Sequence, residues 1–104
     1  MTDWVDAIDA SALTDCEHVL LEVDGYEVAL FNVGGEFYAI ENQCSHAAVA
    51  LAEGAVEGDQ IVCPLHGARF CLKTGVAKCP PAYEPIQVFP VRIAAGKVQV
   101  GDLW

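Results

Sequence analysis

Cys44-Ser45-His46 and Cys63-Pro64-Leu65-His66-Gly67-Ala68-Arg69-Phe70 decide how this 104-residue chain is to be read. Each stretch sets a soft thiolate beside an imidazole, and sixteen residues, Ala47 to Val62, lie between the two pairs. Two loops that each supply one Cys and one His can close a four-ligand metal site. Zinc accepts that donor set, but zinc pairs usually leave two to four residues between ligands, and Cys44 and His46 leave one. A centre of two irons and two sulfides accepts it too, when two Cys hold one iron and two His the other. Each loop then gives one ligand to each iron, for which Cys-x-His and Cys-x-x-His are natural units.

The spacing C-x-H, sixteen residues, then C-P-L-H-G-x-R-F resembles that of the Rieske ferredoxins, the small electron carriers of bacterial aromatic-ring dioxygenases. The resemblance covers nearly the whole chain: two hairpins before the motif, a Thr74-Gly75 hairpin and a Pro80-Pro81 loop after it, then two closing strands. It implies one Rieske-type [2Fe-2S] cluster, with Cys44, His46, Cys63 and His66 as its metal and cofactor ligands. The two thiolates donate charge strongly and keep their iron ferric, so the His-bound iron takes the electron, at a potential above that of all-cysteine clusters. The family's imidazoles bind through Nδ1 and leave Nε2 toward solvent. The implied role is to pass single electrons from a flavoprotein ferredoxin reductase to a terminal oxygenase. No catalytic residue is implied: protein fills all four ligand positions, and no nucleophile–base pair or Gly-rich phosphate loop stands out.

Departures from high-potential Rieske proteins bear on tuning. Those proteins join their cluster loops by a disulfide, and the matching positions here are Val49 and Leu65. They also aim Ser and Tyr hydroxyls at cluster sulfurs, where this chain has Ala68 and Phe70. Fewer hydrogen bonds to sulfur stabilise the reduced cluster less, so the expected potential is at the low end of the Rieske range, about −150 mV. Ferredoxins of the family often carry Asp after this Phe, and here the residue is Cys71.

The chain has the length of one domain. Apolar residues are 54% of it, too many for a disordered segment, and no apolar run reaches membrane-span length. The N-terminus, Met1-Thr2-Asp3-Trp4, has no apolar signal-peptide core, so a cytoplasmic monomer is expected. Five cysteines fit a disulfide framework poorly. Cys16, Cys71 and Cys79 are read as packing residues. The formal charge of −10 speaks against nucleic acid and anionic membranes and suits a basic docking face on a redox partner.

Read in order, the chain is strands and turns. Trp4–Ile8, His18–Val23, Tyr26–Phe31 and Glu36–Glu41 read as strands, with turns at Asp24-Gly25 and Asn32 to Gly35 and one helical turn at Ser11 to Thr14. His18 reads as a strand-end polar residue. Asn42 to Val49 is the first metal loop. Ala55–Glu57 and Gln60–Cys63 form a hairpin that delivers Cys63, and Pro64 to Ala68 is the second loop. Arg69–Leu72 and Val76–Lys78 read as a third hairpin. Ile86–Ile93 is a strand with an edge or bulge at Pro90, and Lys97–Gly101 closes the fold. Strands every eight to twelve residues without a long helical pattern mark an all-β sandwich or barrel. The resemblance sharpens this to a Rieske-type antiparallel β-sandwich or barrel base, residues 1–41 and 84–104, with an inserted cluster-binding subdomain, residues 42–83. The rival readings are the ferredoxin of a di-iron aromatic monooxygenase, the small subunit of an assimilatory nitrite reductase and a structural zinc module. The aromatic substrate of the parent oxygenase leaves no trace in the sequence.

Overall fold

Val28-Ala29-Leu30-Phe31 is an unbroken apolar run, which in a strand puts apolar side chains on both faces of its sheet. In the computed structural model, which describes residues 4–15, 17–23, 25–44, 49–64, 67–78 and 84–101, this run is the middle of strand β3. The strands are β1 (Trp4–Asp9), β2 (His18–Val23), β3 (Tyr26–Val33), β4 (Glu36–Glu41), β5 (Val56–Glu57), β6 (Gln60–Val62), β7 (Arg69–Cys71), β8 (Val88–Phe89), β9 (Val91–Ala94) and β10 (Lys97–Gly101). They form three sheets with the orders β1-β10-β9, β2-β3-β4-β8 and β5-β6-β7. All of these pairings are antiparallel. The all-β architecture is the expected one. Among the described residues no helix is long and apolar enough to cross a membrane.

The sheet β2-β3-β4-β8 is buried on both sides. Val28, Leu30 and Ala39 face one cluster of buried side chains, which also holds Val98 and Val100 of β10. Ala29, Phe31 and Ile40 face a second cluster, which holds Cys44, Cys63, Ile61, Phe70 and Ile86. One strand pair therefore braces the terminal sheet behind it and the metal loops before it.

Turn chemistry fixes the register. Val33 pairs with Glu36 across Gly34 and Gly35, whose φ values of 62° and 90° are those of a two-residue turn that needs left-handed backbone at both positions. β3 thus runs two residues beyond the predicted Phe31.

Three expectations change. Ile86–Ile93 is not one strand: Pro90 divides it, with β8 pairing to β4 and β9 pairing to β10. Proline has no N–H for a ladder, so the chain leaves one sheet and enters another there, and the Pro90 carbonyl accepts from Gly101 N–H at 2.8 Å. Val76–Lys78 forms no strand, only a single bridge between Ala77 and Phe70. Ser11 to Thr14 is a turn rather than helix, closed by Ala12 N–H to the Asp9 carbonyl at 2.9 Å. One 3-10 turn that the sequence reading did not anticipate covers Leu51–Glu53.

Candidate metal centre

The two metal loops leave the scaffold by different routes. β4 ends at Glu41, whose N–H donates to the Gln87 carbonyl at 2.8 Å. Cys44 follows, and its N–H donates to the Val49 carbonyl at 3.0 Å. The second loop is the tip of the β6–β7 hairpin: Val62 pairs with Arg69, and Cys63 N–H donates to the Ala68 carbonyl at 2.7 Å. Each cysteine therefore opens a loop pinched by its own N–H to the carbonyl five residues on. Gly67, with φ of 74°, turns the second loop back, and its N–H donates to the Cys63 carbonyl at 3.1 Å.

Cys44 and Cys63 are 2% and 1% exposed and belong to one packed cluster with Ala68 and Phe70. The structure thus brings the two sequence-predicted thiols into the same core. His46 and His66, the other two predicted ligands, lie outside the described residues, as do Leu65, Cys16, Cys79, Pro80 and Pro81. Both histidines belong by sequence to the pinched loops, two residues after Cys44 and three after Cys63. The donor chemistry fits a mixed Cys/His iron–sulfur centre: two soft thiols on the buried side, an imidazole farther along each loop, and a small residue, Ala68, at the pinch.

Several features around the site had no clear signal in the sequence. Gly54 precedes the β5–β6 hairpin, and a Cβ there would stand 1.8 Å from the Val62 carbonyl oxygen, so only glycine allows the approach of this backbone to the residue before Cys63. A Cβ on Gly75 would meet the Ile86 carbonyl oxygen at 2.1 Å, while Ile86 N–H donates to the Gly75 carbonyl at 2.9 Å. This ties the β7 turn to the chain entering β8. Asn42, 6% exposed, binds two other segments through its side chain.

Cys71 is buried, as its reading as a packing residue requires. Hydrogen bonds from the Thr74 hydroxyl, then from the backbone N–H groups of Thr74 and Lys73, pull its thiol below the ordinary value, against the opposing effect of burial. The sulfur is thus an acceptor within the β7 turn. His18 stands at a strand end with its ring 5.6 Å from that of Phe31, away from the loops by sequence. Arg69 and Glu57 form an ion pair at 2.8 Å across the third sheet, a partly exposed contact of small energetic weight.

The Rieske [2Fe-2S] domain family matches the chain over residues 3–90. The chain belongs to the Rieske [2Fe-2S] family. This Rieske domain is 54% identical over 72 residues to the 3-phenylpropionate/cinnamic acid dioxygenase ferredoxin subunit of Escherichia coli K12, covering 68% of each chain. Its fold matches the ferredoxin of carbazole 1,9a-dioxygenase from Nocardioides aromaticivorans IC177 with a TM-score of 0.88, at 31% identity, over 93% of this chain and 95% of that one. It also matches a chain in the complex of reduced oxygenase and oxidized ferredoxin of carbazole 1,9a-dioxygenase, with a TM-score of 0.87, at 35% identity, over 93% and 91% of the two chains. Among Rieske domains it is a ferredoxin of the aromatic-ring dioxygenase type. Family membership implies a Rieske-type iron–sulfur cluster.

Proposed function

We propose that Cys44, His46, Cys63 and His66 hold one [2Fe-2S] cluster, and that the chain carries single electrons from a flavoprotein ferredoxin reductase to a terminal aromatic-ring dioxygenase. The observation that carries this reading is the matched pair of pinched loops, each opened by a buried cysteine of one packed cluster. Bound there, the cluster supplies a one-electron couple. Cys44 and Cys63 would hold one iron as thiolates on the buried side, and His46 and His66 would hold the other as neutral imidazoles. In this reading the protein has no catalytic residue, because its own side chains fill the coordination sites.

The relative's complex with an oxygenase and the charge of −10 support a partner with a basic docking face. The third sheet shares no strand pairing with the other two among the described residues, which supports residues 42–83 as the cluster-binding subdomain and residues 1–41 and 84–104 as the base. The role needs a reducing compartment, so the reading puts the chain in the cytoplasm, as a monomer that meets its two partners in turn.

Iron and acid-labile sulfide analysis on aerobically purified protein tests the site. Two of each per chain are expected, with a reduced-state EPR signal of mean g below that of all-cysteine clusters, and Cys44→Ser or His66→Ala should abolish it. One zinc per chain and no visible absorption would overturn the reading. Reconstitution with a reductase and a dioxygenase then tests the electron path.

A further inference from the structure

The two loops differ in what closes them below the pinch. Under Cys63 and Ala68 the β6–β7 ladder continues directly, with Val62 opposite Arg69 and Ile61 opposite Phe70. Under Cys44 and Val49 no ladder continues among the described residues. The chain entering the loop has just left β4, and the chain leaving it runs into the 3-10 turn at Leu51–Glu53. The side chain of Asn42 spans that gap. Its Oδ1 accepts from Ala52 N–H at 2.8 Å, so it joins the two limbs of the loop two residues before Cys44 and three after Val49. Its Nδ2 donates to Glu27 Oε1 at 2.6 Å, and its backbone N–H donates to the Glu27 carbonyl at 2.8 Å, so both limbs are fixed to β3 of the base.

Chemistry limits what can stand here. The residue must accept from a backbone N–H and donate to a carboxylate at once, and must be short enough to do so while buried. The primary amide of Asn does both. A buried polar group earns its place only when its partners are made, and the side-chain partners of Asn42, Glu27 and Ala52, lie on two different segments. We infer that Asn42 is the positioning residue of the first cluster loop, fixing the limb that carries Cys44 relative to Cys63 of the second loop. The inference rests on the ligand reading proposed above. Removing such a support of a metal ligand typically weakens metal retention tenfold to a hundredfold.

Two single variants and one swap test it on the cluster-loaded protein. Asn42→Ala removes both side-chain bonds. Asn42→Asp keeps the acceptor for Ala52 N–H but sets a carboxylate against that of Glu27. Asn42→Asp combined with Glu27→Gln restores the pair with donor and acceptor exchanged, at the charge of the parent. The readouts are the rate of cluster loss to an iron chelator, the g-values of the reduced protein and its midpoint potential, with thermal unfolding measured alongside. Both single variants should lose the cluster about tenfold faster or more and shift the g-values, and the swap should return the loss rate to within about threefold of the parent. A lowered melting temperature with unchanged loss rate, g-values and potential in Asn42→Ala would show that Asn42 supports the fold alone and would overturn the inference, as would a swap no better than Asn42→Asp. Failure of the ligand reading looks different: the parent itself would then hold no two-iron cluster.

Discussion

Replacing Gly54 with Ala isolates a steric constraint beside Cys63. Gly54 has φ of −85° and ψ of 175°, a backbone conformation open to any residue, so the substitution carries no conformational strain. The added Cβ would lie 1.8 Å from the Val62 carbonyl oxygen, where contacts below 3.0 Å are essentially unknown. The two strands of backbone must therefore part, and the bond from Val62 N–H to the Ala55 carbonyl, 2.8 Å long, lies across the opening. Overpacking of this kind costs about 1–3 kcal/mol, and the lost hydrogen bond adds about 0.5–1.5 kcal/mol. Lower entropy of the unfolded chain returns about 0.4–1 kcal/mol. A net loss of about 2 kcal/mol in a domain of this size lowers the melting temperature by roughly 8–16 °C. Because Val62 adjoins Cys63, cluster loss to chelator should quicken as well. Gly34→Ala is the control: nothing stands within 4 Å of its Cβ, but its φ is 62°, so it costs only the left-handed penalty of about 1–2 kcal/mol and should leave cluster retention unchanged. The measurements are thermal unfolding and chelator challenge on the loaded proteins. A Gly54→Ala variant that melts within about 2 °C of the parent and keeps its cluster as long would refute the argument.

Ala68→Ser or Phe70→Tyr should raise the midpoint potential, since a donor to sulfur favours the reduced, more negative cluster; a net bond of ~1–2 kcal/mol corresponds to roughly 40–90 mV in a one-electron couple. Voltammetry reads this, and Phe70→Tyr should also cost stability, because Phe70 is fully buried and the added hydroxyl must leave water. Cys71→Asp should raise the melting temperature and Cys71→Ala should lower it by about 1 kcal/mol of stability, since three donors converge on this side chain; equal melting temperatures for both would remove the turn-acceptor role. The Tyr38 hydroxyl donates to the Glu36 carboxylate, which raises its pKa from 10.0 to about 12. A raised folded pKa gives stability that is complete below the unfolded value and lost as pH climbs through the folded one. The stability gap between parent and Tyr38→Phe should therefore hold steady up to about pH 10 and close toward about pH 12, as followed by denaturant titration. Reduction of the oxygenase by this chain should slow as added salt shortens the Debye length from ~10 to ~3 Å, and a salt-indifferent rate would assign the −10 charge to solubility alone.

Much of this fold was legible because its signals were local. Alternation and turn residues placed β2, β3 and β4 to within two residues, and the paired Cys/His units led to the family. What the sequence concealed was non-local. Pro90 signalled trouble in a strand but not that its two sides belong to different sheets, since that depends on β4 and β10 offering partners on either side. Val76–Lys78 looks like a strand answering Arg69–Leu72, yet Gly75 is drawn against Ile86 from outside the hairpin, and the ladder stops after one bridge. Asn42 reads as an ordinary residue of the first loop, and Gly54 carries no signal. Their roles appear only when Glu27, fifteen residues before Asn42, and Val62, on the far strand of the β5–β6 hairpin, are brought beside them.

The two-sided burial of β3 explains why those distant partners matter. Its side chains alternate between the cluster behind the sheet and the one that holds Cys44 and Cys63, so displacement of either metal loop is felt in the sheet core. Interiors packed this closely shift little and transmit strain. In the proposed role the cluster gains and loses charge in every cycle, and ligands that moved with that charge would slow each transfer. A second loop grown from a hairpin ladder and a first loop clamped by one buried amide are two solutions to the same requirement. The clamp has fewer bonds to lose, so the first loop is where a single substitution should most readily uncouple cluster retention from the stability of the base.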